Sequence, residues 1–315
     1  MSEGIEVQKS ESKNLSELIF DPARDVTDQD AELIEKFMSS RFDLRDSADT
    51  FWKGYVLEPA VALSILSPEV SSKVTLGEKD FQALLLYLKK ARPKDKQSNE
   101  NKWRADELVN GYIFDRFKIL FPELSKEEVH KFYDGLCGWR DFTQWAQIIL
   151  QLFPERVSEF KLDEEAWEGM RGYLEYQYRS VTQDKDFNTR WGGHPSFSDH
   201  AVAMKILFPD RANDLHLDDK IFEWMKRGLK KERKDKQGGR FSAVAGEMKL
   251  LFPGRVSEIG ITEEDWRMMN KDTVNAMRHH KQADCLASHF ANMKILAAEE
   301  VVFSDKGLQV NINKS

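Results

Sequence analysis

The sequence predicts an all-α protein whose tandem helical hairpins stack as an irregular α-solenoid with a small C-terminal β-hairpin cap. Three observations carry this prediction: a repeated Leu-Phe-Pro tripeptide, a helical stripe of apolar residues before each copy, and an amphipathic segment with an acidic start after it. The predicted organisation is a loosely attached N-terminal segment at 1–27, an array of about six units at 28–298, and the cap and tail at 299–315.

The tripeptide marks the repeat. Its four clear copies are Lys118–Pro122, Gln151–Pro154, Lys205–Pro209 and Lys249–Pro253, and its two degenerate copies are Ile65–Pro68 and Lys294–Ala298. A unit of about 44 residues fits the spacing, with insertions in two copies and a contraction in one. The proline should end a helix, because it disfavours helical geometry in the residue before it and has no N–H to donate.

Apolar residues recur at fixed distances before each proline, at spacings of four, three and three residues that form one helical face. The first three positions of this stripe in the best copies are Phe142/Ala146/Ile149, Phe197/Ala201/Met204 and Phe241/Ala245/Met248. The last position is leucine in all six copies: Leu66, Leu120, Leu152, Leu207, Leu251 and Leu296. Such a stripe is typical of a helix that faces the core.

A short connector follows the proline and carries an arginine with an acid three residues later: Arg156/Glu159, Arg211/Asp214 and Arg255/Glu258. The arginine could pair across the bend or brace the next unit. The second helix should begin with a cap and acids, at 163–165, 218–219 and 262–265. Its apolar face is predicted as Phe81/Leu84/Leu88, Val129/Phe132/Leu136, Trp167/Met170/Leu174 and Phe222/Met225/Leu229. Its basic end is predicted at Arg92, Arg179, Arg233 and Arg278.

The two ends of the chain differ from the repeat. Residues 30–42 read as a helix with Leu33, Ile34, Phe37 and Met38 on its inner face. Near the C-terminus, the segments 301–303 and 308–312 alternate apolar and polar residues around a Ser-Asp-Lys-Gly turn. This pattern predicts the β-hairpin that should close the array.

Composition limits the class of protein. The net charge of −7 argues against a protein that coats nucleic acid generally, although it permits a local basic patch. The two cysteines, Cys137 and Cys285, are too few and too distant for a disulfide framework, which favours a reducing compartment. The N-terminus lacks the pattern of a signal peptide, and no apolar run is long enough for a membrane span, so we expect a soluble cytoplasmic protein with no membrane partner.

No motif predicts catalysis. The phosphate loop, the dinucleotide fingerprint, the HExxH helix, paired CxxC and the nucleophile elbow are all absent from the sequence, so we predict no enzyme, no cofactor and no catalytic or metal-binding residue. The segment Gly192–Pro195 is interpreted as a flexible connector. A zinc set of His279, His280, Cys285 and His289 is disfavoured, because His289 matches the repeat position of His200, where packing explains it.

Basic residues cluster at the end of one second helix, between Lys226 and Arg240. The candidate nucleic-acid rim is Lys226, Arg227, Lys230, Lys231, Arg233 and Lys234. A second basic run lies at 89–96, and Trp103, Phe187 and Trp191 in loops could stack on bases. The competing interpretation is a solvated helix end, where lysines are common.

The unit F-x-x-x-A-x-x-M-K-I-L-F-P, then R-x-x-E-I-x-I, then T-E-E-D-W-x-x-M resembles the tandem KILFP-type helical-hairpin repeats of bacterial proteins that carry no assigned activity. The resemblance covers roughly 50–310 and implies an array architecture, with no functional residues to transfer. Because stacked repeats present long surfaces and the sequence holds no catalytic set, we expect this chain to be a non-enzymatic binding or scaffolding protein for a protein or peptide partner. The alternative is nucleic-acid binding through the basic residues of 226–240.

Overall fold

A computed structural model describes residues 57–66, 76–93, 126–183, 193–278, 291–298, 300–304 and 307–311. Over these residues the chain is mostly helical. The α-helices are α1 Glu58–Leu66, α2 Glu78–Ala91, α3 Lys126–Leu152, α4 Glu164–Gln183, α5 Gly193–Leu207, α6 Asp219–Lys234, α7 Gly238–Leu251, α8 Val256–Ile259 and α9 Glu263–Arg278. Short 3-10 helices span Pro154–Glu159, Pro209–Asp214 and Pro253–Arg255, and residues 291–297 form a last helical segment. The strands are β1 Glu300–Ser304 and β2 Gly307–Asn311.

This helical content confirms the coarse part of the fold prediction. The stacking of the hairpins as a solenoid, the closing role of the strands and the limits of the array at 28–298 stay predictions. Several predicted features lie outside the described residues: the segment 1–27, the helix at 30–42 and the Leu-Phe-Pro copy at 118–122.

The chain divides into two compact units. The central unit is Leu76–Ile221, and the terminal unit combines Met1–Thr75 with Phe222–Ser315. In the central unit, α3 packs against α2, α4 and α5, and α4 packs against α5. In the terminal unit, α7 packs against α9.

The proline ends the first helix of a hairpin, as the sequence predicts. Helices α3, α5 and α7 all stop at the leucine of the motif, and the following phenylalanine leaves helical geometry, with φ between −137° and −128°. The proline then opens a 3-10 turn, where its missing N–H removes no helical hydrogen bond. The prediction of a helix stop is therefore confirmed at Leu152, Leu207 and Leu251.

The predicted apolar faces form the core. The first three stripe positions of α3, α5 and α7 are at most 2% exposed. The inner faces of α2, α4 and α6 are at most 4% exposed along Phe81/Leu84/Leu88, Trp167/Met170/Leu174 and Phe222/Met225/Leu229. Because burying one large apolar side chain contributes about 1.5–3 kcal/mol, these two sets of residues supply much of the driving force for folding.

Helix α3 corrects one prediction. The sequence predicts a second helix around Val129–Leu136 and a separate first helix from about Phe142, but Lys126–Leu152 is one continuous helix. No proline interrupts it, and its two interior glycines, at positions 135 and 138, cost only about 1 kcal/mol each. Gly138 marks a close contact, since a Cβ there would lie 2.7 Å from Cγ of Pro93. The contraction of the repeat at this point therefore reflects two helices fused into one.

A second correction concerns the segment interpreted as a flexible connector. Helix α5 begins at Gly193 inside it, so the residues that follow are helical. Pro195 is accommodated because it stands in the first turn, where the N–H groups have no intrahelical acceptor.

The strands lie beside the first described helix. β1 pairs with β2 in antiparallel register from Glu300↔Asn311 to Ser304↔Gly307, and β2 contacts α1. Nζ of Lys294 donates a hydrogen bond to the carbonyl oxygen of Ile65 at 3.1 Å. The beginning and the end of the described chain thus meet in the terminal unit.

Candidate functional site

In the first turn of three second helices, α2, α4 and α6, an aromatic side chain is held between the phenylalanine of a Leu-Phe-Pro motif and the arginine of the connector that follows it. In the central unit, Phe208 of the Leu-Phe-Pro motif contacts Trp167 edge-on with ring centroids 5.2 Å apart. Cζ of Arg211 lies over the same ring at 4.1 Å from the centroid. We call this arrangement the arginine clamp. It recurs as Phe81 with Phe153 and Arg156, and as Phe222 with Phe252 and Arg255.

The clamp arginine also binds acids. Nη1 of Arg211 donates to Glu164 at 2.7 Å, and Nε donates weakly to Asp214 at 3.5 Å. Pairing with Glu164 raises the pKa of Arg211. The sequence leaves open whether this arginine pairs across the bend or braces the next unit. In the structure it pairs across the bend and reaches back to the second helix that precedes it in the chain.

A further contact joins the end of one second helix to the capping acid of the next. Arg92 donates to Asp163 at 2.8 Å, and the hydroxyl of Tyr178 donates to Asp218 at 2.7 Å. The hydrogen bond with Asp218 raises the pKa of Tyr178 to about 12. Arg179, the basic end that the sequence predicts for α4, pairs instead with Glu175 of its own helix at 3.1 Å. In α4 the contact is therefore made by the residue before the predicted basic end.

In the terminal unit the same contact is made by Arg233 and Asp265. Nε and Nη2 of Arg233 each donate to Asp265 at 2.7 Å, and Nη2 also donates to the carbonyl oxygen of Gly260 at 3.1 Å. Asp265 is 1% exposed and accepts the backbone N–H and the hydroxyl of Thr262 at 2.8 Å. Desolvation opposes ionisation of Asp265, but the bonds from Arg233 and Thr262 hold its pKa below the ordinary value.

The lysine of the motif contacts the end of a neighbouring helix. Nζ of Lys249 donates to the carbonyl oxygens of Leu296, at 3.0 Å, and of Ala298. Burial lowers the pKa of Lys249. The last carbonyls of a helix have no intrahelical donor and carry the negative end of its dipole, so a cation is favourable there. Lys294 makes the equivalent contact with Ile65.

The six residues of the predicted nucleic-acid rim therefore have different roles. Arg233 is engaged with Asp265, and Lys226 pairs with Glu223 at 3.3 Å with its Nζ 5.5 Å from the ring of Phe222. Lys231 is half-buried. These three are poorly placed to bind a partner. The remaining three, Arg227, Lys230 and Lys234, are exposed.

The exposed cations form a line. Arg227, Lys230 and Lys234 stand at i, i+3 and i+7 on α6, so they share one helical face. Lys236 and Arg240 follow, and both are exposed. We call these five residues the basic stripe. Within the part of the chain that the structure describes, none of the three on α6 forms an ion pair.

The acids near the basic stripe weaken its charge little. Glu232 is 3% exposed, and desolvation raises its pKa, which disfavours its negative charge. Asp265 is neutralised by Arg233, which leaves Asp235 as an exposed acid of this segment. The stripe therefore keeps a net positive charge.

His200 is a core residue. It is 4% exposed, its Nε2 donates to the carbonyl oxygen of Met170 at 3.0 Å, and the ring of Tyr173 lies edge-on at 4.7 Å. Burial lowers the pKa of His200 to about 4. The sequence predicts that this repeat position serves side-chain packing, and the structure confirms this for His200.

The other sequence candidates lie elsewhere. The disfavoured zinc set at 279–289 and the aromatic residues Trp103, Phe187 and Trp191 fall outside the described residues. Among the residues that are described, no group of three His, Cys, Asp or Glu side chains could hold a metal ion. No described helix combines the length and the apolar character of a membrane span.

Replacing Arg233 with alanine should lower the free energy of unfolding by about 1.5–3 kcal/mol, because buried Asp265 loses charge-assisted hydrogen bonds. The contribution of Asp265 is present above its ordinary pKa of 3.8 and is lost as the pH falls through its lowered folded value. Urea unfolding followed by circular dichroism should therefore show a deficit that shrinks in acid. The control Lys234→Ala removes an exposed cation one residue away and should change stability by less than about 0.5 kcal/mol. Equal losses in both variants would contradict the prediction.

No protein-family model, curated protein or solved structure matches this chain. The resemblance to KILFP-type repeat proteins therefore stays a prediction, and a function has to be inferred from the residues themselves.

Proposed function

We propose that this chain is a non-enzymatic cytoplasmic binding or scaffolding protein, in which helical hairpins stacked as an array and closed by the β1–β2 pair present their outer surface to a protein or peptide partner. The observation that carries the proposal is the basic stripe. Its three residues on α6, Arg227, Lys230 and Lys234, lie opposite the buried face of Phe222, Met225 and Leu229, so they are not needed for the core.

The comparison with the equivalent helices supports a binding site on α6. Counting from the clamp aromatic, the positions of Arg227, Lys230 and Lys234 hold Gly172, Glu175 and Arg179 in α4, and the last two pair with each other. In α2 they hold Leu86, Lys89 and Pro93. A feature required by the repeat would recur in each unit. The uncompensated line of cations occurs in one of these three helices, which favours a role in binding.

The test is a binding experiment with matched variants. Arg227→Gln/Lys230→Gln/Lys234→Gln removes three charges from the stripe, and Lys79→Gln/Lys89→Gln/Lys90→Gln removes three charges from the exposed face of α2. Both variants should keep the circular dichroism spectrum of the parent. A protein captured from cell extract by the parent should be retained by the α2 variant and lost by the stripe variant. If the parent retains no protein above a charge-matched unrelated control, the proposed function fails.

A second candidate function, nucleic-acid binding, is favoured by the same exposed cations. It predicts that affinity for a labelled oligonucleotide falls steeply with salt and that the stripe variant reduces the salt dependence. Arg233 has to be left unchanged in such a variant, because its loss would disturb Asp265 as well as any surface contact. Equal affinity of the parent and the stripe variant would exclude this alternative.

A further inference from the structure

We infer that the basic stripe binds an acidic segment of a protein, with carboxylates at helical spacing paired along α6. This inference rests on the proposed function and names the partner class of the same surface. Three features carry it: the spacing of the cations, the state of their neighbours, and the burial of the aromatic rings that a nucleic acid would need.

The spacing of the cations matches a helical ligand. Arg227 and Lys234 are seven residues apart on α6. At a rise of 1.5 Å per residue, the charges extend about 10 Å along the helix axis. On a second helix, Asp or Glu residues at positions i, i+3 or i+4, and i+7 lie on one face and span the same distance. Lys236 and Arg240 follow α6 in the sequence, and both are exposed, so they add positive charge beyond its C-terminal end.

The residues beside the stripe do not neutralise its positive charge. Arg233 lies between Lys230 and Lys234 in sequence, but its guanidinium faces Asp265, so the exposed cations of α6 form a single row of Arg227, Lys230 and Lys234. A narrow line on a convex helix suits a ligand that presents one row of carboxylates. A phosphate backbone is better held by a positively charged groove.

The aromatic residues near the stripe point to the same partner. Proteins that bind single-stranded nucleic acid add stacking of bases on exposed aromatic rings. The aromatic residues of α6 and α7, the helices that carry the stripe, are Phe222, Trp224 and Phe241, and they are at most 3% exposed and belong to the core. A long polyanion would also meet the rest of a chain whose net charge is −7. A peptide whose acids form one row matched to the stripe keeps its negative charges within about one Debye length of the cations, roughly 8 Å at physiological salt, and largely avoids that repulsion.

The binding energy should come from several exposed ion pairs. Each such pair is worth up to about 1 kcal/mol and is screened by salt. Loss of three pairs worth about 0.5–1 kcal/mol each corresponds to a decrease in affinity of about tenfold to a hundredfold. Binding should weaken as the salt concentration rises.

The experiment uses fluorescence anisotropy with the full-length chain and a labelled helical peptide of about 20 residues that carries glutamates at i, i+4 and i+7. We expect the parent to bind this peptide and to ignore a peptide with glutamine at the same positions. Arg227→Gln/Lys230→Gln/Lys234→Gln should weaken binding at least about tenfold. The control Lys79→Gln/Lys89→Gln/Lys90→Gln should stay within about twofold of the parent, since it alters the same total charge at another helix.

Three results would overturn the inference: no binding of the glutamate peptide, equal weakening by the two variants, or tighter binding of an oligonucleotide of equal charge at the same salt concentration. The last result would assign the stripe to nucleic acid. If the parent captures a cellular protein through the stripe while the glutamate peptide does not bind, the inference about the acidic segment fails and the proposed binding function stands.

Discussion

Replacing Trp167 with alanine is expected to lower the free energy of unfolding by about 3–5 kcal/mol. The side chain is 1% exposed, and it joins α4 to the connector through the ring of Phe208 and the guanidinium of Arg211. The substitution therefore removes a buried aromatic ring, leaves a cavity and removes the cation–π contact with Arg211. The expected loss is large because these three effects act in the same direction.

Urea denaturation of the full-length chain, followed by circular dichroism, measures this effect. Arg171→Ala on the same helix is the control, because Arg171 lies on the exposed face and should change stability by less than about 0.5 kcal/mol. A double-mutant cycle with Arg211→Ala should give a coupling energy of about 0.5–2 kcal/mol, the range of cation–π contacts. A loss below about 1 kcal/mol in Trp167→Ala would show that this ring is not part of the core.

The second large effect is a loss of stability in mild acid caused by His200. Its pKa is about 4 in the folded chain because burial disfavours the charged ring, against an ordinary value of 6.5. Above pH 6.5 both states are neutral at this residue and nothing changes. Between 6.5 and about 4 the unfolded chain takes up a proton that the folded chain does not, so stability falls as the pH falls. Each pH unit costs about 1.4 kcal/mol, and the whole interval costs roughly 3 kcal/mol.

The variant His200→Gln tests this dependence. The variant has no titratable group at this position, so its unfolding between pH 6.5 and about 4 should take up one proton fewer than unfolding of the parent. The slope of its free energy of unfolding against pH should therefore be smaller by about 1.4 kcal/mol per pH unit. Urea unfolding at several pH values between about 7 and 4 gives both slopes, and contributions from exposed histidines and carboxylates cancel in the comparison. Identical slopes would mean that folding leaves the pKa of His200 unchanged, which would contradict the prediction.

The hairpin elements are predictable from the sequence where local chemistry decides them. The Leu-Phe-Pro stop, the apolar faces and the capping acids Asp163 and Asp218 follow from backbone sterics, from helical periodicity and from the free N–H groups of a helix start. The same kind of inference fails at α3, where two apolar stripes predict two helices and the chain forms one. Only the close approach of Pro93 explains why a glycine stands at position 138 in a continuous helix.

The candidate site was predictable only as a cluster of basic residues. Of the six cations between Lys226 and Lys234, the sequence could not separate Arg233 from its neighbours, because Asp265 lies 32 residues further along the chain. The position of Arg233 offers one usable signal. It stands eleven residues after the clamp aromatic Phe222, as Arg92 does after Phe81, and the exposed residues of the stripe do not.

The sequence by itself determined where the helices stop, which of their faces are apolar and where their caps stand, because each of these depends on residues within about one or two turns of one another. The tertiary structure alone decided which charges serve the fold and which face outward. Arg211 lies on Trp167, Arg233 lies on Asp265 and Lys249 lies on the carbonyl of Leu296, whereas Lys230 and Lys234 are left exposed. The physical reason is that a cation's role depends on which acids, rings and carbonyls come within about 4 Å of it, and the packing of distant segments sets that distance.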